Sequence, residues 1–81
     1  MIKSGQIYND NSLGIIVINY IHTHDDGQDY PLKCHLTIRS GENFTSSLAD
    51  LEEDIEKGKM KLISEYSNWI EAINSKEFKG E

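Results

Sequence analysis

From Gly14 to His22 the chain reads Gly-Ile-Ile-Val-Ile-Asn-Tyr-Ile-His, and no other stretch limits the fold as strongly. β-branched and aromatic residues favour a pleated backbone, on which successive side chains point to opposite faces. Ile15 and Val17 fall on one parity, and Ile16, Ile18 and Tyr20 on the other. A strand apolar on both parities is expected at the centre of a sheet, or covered on its second side. The chain has 81 residues from which to build that cover.

The flanking segments supply partners. Gly5-Gln6-Ile7-Tyr8 reads as a short first strand, and Asn9-Asp10-Asn11-Ser12 as the turn after it, because Asn and Asp bond their own backbone. His24-Asp25-Asp26-Gly27-Gln28 reads as a hairpin loop with an Asp-Gly turn. The next strand, Tyr30 to Arg39, alternates: Leu32, Cys34, Leu36 and Ile38 point one way, and Lys33, His35, Thr37 and Arg39 the other. Pro31 suits a sheet edge or the beginning of a strand.

Ser40-Gly41-Glu42-Asn43 is expected to end that sheet region. Ser47 is a good N-cap, with Asp50 favouring the helix N-terminus. Leu48, Leu51 and Ile55 form an apolar stripe that stops at Gly58. Met60 and Leu62 alternate with Lys59 and Lys61 in a short strand. Ser67 is expected to cap a final helix with Trp69, Ile70 and Ile73 inward and Phe78 as a last anchor. The predicted order is β-β-β-α-β-α, an α+β fold with a small antiparallel sheet packed by two helices. The glycines before Ile7-Tyr8 and before Ile15-Ile16-Val17 also suit the first hairpin of an SH3-like barrel, the alternative architecture.

A chain of this length is expected to form one domain, burying roughly 60% of its unfolded surface. A deep catalytic cavity would remove core that such a domain needs, so a non-enzymatic role without a cofactor is expected. The apolar run Leu13–Ile18 is too short to span a bilayer, and no basic segment leads into an apolar leader. Cys34 is the sole cysteine and suits a reducing cytoplasm.

The residues that invite chemistry are few. His22, His24, Asp25, Asp26 and Asp29 offer imidazole and carboxylate donors for a divalent metal, yet a polar hairpin tip has the same composition. Pairing about Asp26-Gly27 would put His35 well down the hairpin from His22. Cys34 lies among apolar residues of its parity, which suppresses thiolate formation. With one arginine, Arg39, and with Lys57, Lys59 and Lys61 set among Glu53, Glu56 and Glu65, direct nucleic-acid binding is disfavoured.

Acidity is the stronger signal. Ten of the fourteen acidic residues follow residue 40, where five lysines oppose them. Asp50, Glu53, Asp54 and Glu56 occupy the helix surface away from Leu48, Leu51 and Ile55, and only Glu53–Lys57 relieves their repulsion at helical spacing. Such a field suits a basic partner surface, as in proteins that mimic DNA charge; it also suits a solvated helix face.

Leu62-Ile63-Ser64-Glu65-Tyr66, then Trp69, Glu71-Ala72, Asn74-Ser75 and Glu77-Phe78, together with the opening Gly5-Gln6-Ile7-Tyr8-Asn9-Asp10, resemble small uncharacterised accessory proteins of Gram-positive phages and prophages. That group has a proline where this chain has Ser67, and the middle of the chain does not share the likeness. No site residue carries over. The resemblance implies a small cytoplasmic protein of phage context, a setting in which acidic proteins inhibit host enzymes or defence systems, anti-CRISPR proteins among them. The resulting expectation is a protein–protein interaction module that meets a basic host or phage protein through Asp50, Glu53, Asp54 and Glu56. An SH3-like adaptor or nucleic-acid-associated module using Asn19–Asp29, or a metal-dependent activity at His22 and His24, stands behind it. No membrane partner is expected, and an exposed strand edge would let the chain pair with a second copy.

Overall fold

The two apolar parities of Gly14–His22 become the two buried faces of a sheet. A computed structural model describes residues 2–22 and 32–80. It contains strands β1 (Gln6–Asp10), β2 (Gly14–His22), β3 (Lys33–Ile38), β4 (Asn43–Ser47) and β5 (Met60–Glu65), with helices α1 (Leu48–Glu56), α2 (Trp69–Ile73) and α3 (Lys76–Lys79). The strands lie in the order β4-β3-β2-β1-β5, every neighbouring pair antiparallel, so β2 is central.

One face carries Tyr8, Ile16, Ile18, Cys34, Leu36 and Met60 against Leu51 of α1. The other carries Ile7 and Val17 against Ala72 of α2 and Phe78 of α3. Helix α1 follows one edge strand, leads to the other and touches both, so it crosses the first face. Its ends follow the expected chemistry: the Ser47 side chain accepts from the Asp50 amide, and Gly58 takes φ 76° just beyond the C-cap.

The α+β class holds, but the element order is β-β-β-β-α-β-α-α. The chain after Gly41 does not leave the sheet; it returns as β4, pairing Leu36 with Phe44 and Cys34 with Ser46. An edge strand satisfies a ladder on one side only, so the polar run Asn-Phe-Thr-Ser-Ser forms one without an alternating apolar pattern. Consequently β3 is internal. Likewise β1 runs on to Asp10, whose Oδ1 accepts the amides of Ser12 (2.8 Å) and Leu13 (3.0 Å) in a turn shorter than expected.

The final helix is two short ones. Asn68, not Ser67, caps α2 by accepting from the Glu71 amide at 2.9 Å. Ser75 caps α3 and also donates to the Ala72 carbonyl at 2.6 Å. Trp69, Ala72 and Ile73 pack inward, while Ile70, one residue further round than Trp69, is 55% exposed rather than inward. Arg39 ties this end to the sheet: Nε donates to the Phe78 carbonyl (2.7 Å) and Nη2 to that of Glu77 (2.8 Å), a cation at a helix C-terminus.

Tyr20 does not share the face of Ile16 and Ile18. Ile18 pairs with Leu36 and Tyr20 with His35, leaving Asn19 as an extra residue. This bulge reverses the parity of the remainder of β2. Ile21, opposite Cys34, rejoins the face under α1, and Tyr20 moves to the other face, stacked on His35 with ring centroids 4.2 Å apart. Leu32, expected inward with Cys34 and Leu36, is exposed before β3 begins.

Candidate functional site

With 3.6 residues per turn, Ala49, Glu52, Glu53 and Glu56 form a stripe beside the buried Leu51 and the half-buried Leu48 and Ile55. Together with Ile2 and Ile55 that stripe lines an open groove of about 530 Å3 with an apolar floor and carboxylates on its wall. Glu53 holds Lys57 at 2.6 Å; both side chains are more than half exposed, so the pair contributes at most about 1 kcal/mol. Glu53 and Glu56 of the expected set line this groove. Asp50 and Asp54 belong to the next stripe round, and Asp54 is half-buried, its carbonyl accepting the Lys59 amide at 2.8 Å. Glu52 also lines the groove and is absent from the expected set. Its signal was its spacing from Ala49, whose small side chain opens the floor.

The histidine cluster is only partly visible. His24, Asp25, Asp26 and Asp29 lie outside the described residues. His35 is not far from His22: the bulge pairs Tyr20 with His35 and His22 with Lys33, and the two imidazoles lie 6.1 Å apart, edge to face. Among the described residues no group of three or more His, Cys, Asp or Glu is placed to hold a metal.

Cys34 is fully buried, as the alternation implied, and burial pushes its thiol up from 9.0 to about 11. A thiol kept protonated away from water reacts slowly. Iodoacetamide at pH 8 is therefore expected to leave the folded protein unmodified over a time that fully alkylates it in urea, as read by intact mass. An acid whose folded pKa lies above its unfolded one destabilises the fold once the unfolded chain can ionise. The stability that the protonated Cys34 thiol contributes is thus intact below pH 9 and is lost as pH rises through about 11. Tyr8, raised chiefly by burial, acts in the same direction.

A second concavity, of about 580 Å3, lies on the sheet face opposite α1. Helices α2 and α3 pack over β1 and β2, and the neighbouring part of that face stays open. Tyr20, His35, Thr37, Asn43 and Trp69 surround it. Among the described residues no helix is long and apolar enough to cross a membrane. Compared with known proteins, the chain matches no family model, no curated protein and no solved structure.

Proposed function

We propose that this chain is a non-enzymatic protein–protein interaction module that receives a basic surface of its partner in the groove beside α1. The observation that carries this is the placing of Glu52, Glu53 and Glu56 around an apolar floor, with Lys57 paired, among the described residues, to Glu53 alone. Acids that serve the helix itself belong in its first turn, where Asp50 sits. Glu56 is at the opposite, negative end, where a carboxylate is unfavourable by about 0.3–1 kcal/mol, and no basic residue occupies that last turn. A groove with a greasy floor and an anionic wall suits a lysine- or arginine-bearing amphipathic segment. Taken with the resemblance at both ends of the chain, the reading is of a cytoplasmic phage or prophage protein that inhibits a host nucleic-acid-handling or defence protein, its carboxylates standing in for phosphates.

The test is capture from a Gram-positive bacterial lysate at low and at high salt, with a Glu53→Lys/Glu56→Lys control. One dominant basic protein is expected, absent at high salt and absent with the control. Exposed-site changes stay within about 0.5 kcal/mol, so the control should melt within about 4 °C of the parent. A dominant partner indifferent to the reversal would overturn the reading. The runner-up, an SH3-like adaptor working through Asn19–Asp29, draws on the meander β4-β3-β2-β1 with β5 returned beside β1. It requires binding to survive the reversal and to fail in Tyr20→Ala.

A further inference from the structure

We propose that the groove between β3, the start of β4 and α2 binds an uncharged adenine ring, as adenine or adenosine. The groove lies across the sheet from α1, so this inference stands apart from the acidic-face reading.

The aromatic side comes first. Tyr20 and His35 stack with ring centroids 4.2 Å apart and an interplanar angle of 21°. Tyr20 nonetheless remains 51% exposed, and it borders this groove only because the bulge at Asn19 turns it away from the α1 face. Bulges are a common means of re-aiming a side chain beside a site. Trp69 also lines the groove and is half-buried. These π faces suit a flat heteroaromatic ring, since every nucleobase can stack on Tyr, His or Trp.

The polar side selects among such rings. Thr37 Oγ1 lies 2.7 Å from Asn19 Oδ1 and 2.8 Å from Asn43 Oδ1. A hydroxyl has one proton and cannot donate to both oxygens. Asn19 is buried and Asn43 is exposed, so the proton belongs with Asn19, where a missing partner costs most. Asn43 then turns its amide so that Nδ2 donates to the Thr37 oxygen, and it keeps its carbonyl oxygen and its second N–H for the groove, one acceptor beside one donor. That pairing matches the N6 amino donor and N7 acceptor of adenine, the bidentate partner of asparagine amides.

Charge sets the last condition. Among the described residues no lysine, arginine, aspartate or glutamate lines the groove, and the chain as a whole carries −6. A phosphate would meet no lysine or arginine from that lining, which favours the base or nucleoside over a nucleotide or a nucleic-acid strand. The volume, about 580 Å3, lies in the range of small-molecule sites, roughly 300–1,000 Å3.

Trp69 is the only tryptophan, so its emission on excitation at a wavelength that adenosine does not absorb reports on this groove directly. Titration of the whole chain with adenosine is expected to give a saturable change with a dissociation constant on the order of 1 mM or tighter, in line with one or two stacking contacts. Inosine keeps N7 but replaces the N6 donor with an acceptor, and is expected to bind at least tenfold more weakly. Asn43→Ala and His35→Ala should each weaken adenosine by a similar factor, with amide chemical shifts confirming that both variants remain folded. The absence of a saturable adenosine response would overturn the proposal. So would equal binding of inosine, or adenosine binding that Asn43→Ala leaves intact.

Discussion

Gly5→Ala is expected to remove about 3–5 kcal/mol of stability, more than any other change of a single methyl group in the chain. Gly5 takes φ 90°, a region that costs an L-residue about 1–2 kcal/mol. The added Cβ would also collide with the backbone carbonyl oxygen of Tyr66 and crowd the Asn68 backbone. Neither side can retreat. The Gly5 amide donates to the Ile18 carbonyl at 2.9 Å, and the Tyr66 amide donates to the Gly5 carbonyl at 3.0 Å. One residue thus joins the central strand to the segment that starts α2, and moving it breaks two backbone bonds. Gly14→Ala is the control: φ is 80° but nothing lies within 4 Å of a Cβ there, so only the conformational cost of about 1–2 kcal/mol applies. Urea unfolding of the two variants checks this. A Gly5→Ala loss no larger than that of Gly14→Ala would contradict the close approach.

Ile18→Ala is expected to cost about 2–5 kcal/mol, the range for truncating a buried isoleucine in a packed core. Ile18 has no exposed surface and lies on β2 opposite Leu36, in the cluster closed by α1. In a domain whose whole stability is of order 5 kcal/mol, that loss leaves a substantial unfolded fraction at 25 °C. Ile70→Ala, the same chemistry on the outer side of α2, should stay within about 0.5 kcal/mol. Similar losses for the two isoleucines would contradict the assignment of inner and outer faces.

The features legible in the chain were those set by local chemistry. Ile15 to Ile18 announced a strand covered on both faces, the α1 stripe and its Ser47 and Gly58 ends followed from spacing, and Phe78 anchors the last helix as expected. The features that were not legible depend on neighbours. β4 is polar because an edge strand needs only one partner, and its Asn-Phe-Thr-Ser-Ser sequence carries no alternation to find. The bulge at Asn19 inserts one residue, and its only trace is a polar side chain within an apolar run. Missing it put Tyr20 on the wrong face and His35 too far from His22. Of the α1 groove, Glu53 and Glu56 could be read from charge, whereas the part played by Ile2, more than forty residues away, required the fold. The aromatic groove draws on β2, β3, β4 and α2 at once, so nothing in a linear reading assembles it.

The central claim, that the face beside α1 is the binding surface, is tested most directly by measuring the captured partner's affinity for Glu53→Lys/Glu56→Lys and for Tyr20→Ala side by side. Close charge pairs across an interface couple by about 1.5 kcal/mol or more each, so the double reversal should weaken binding at least about a hundredfold. Tyr20→Ala, on the opposite face of the sheet, should bind like the parent. The contrary pattern, with full affinity after the charge reversal and loss with Tyr20→Ala, would place the partner on the other face and contradict the account.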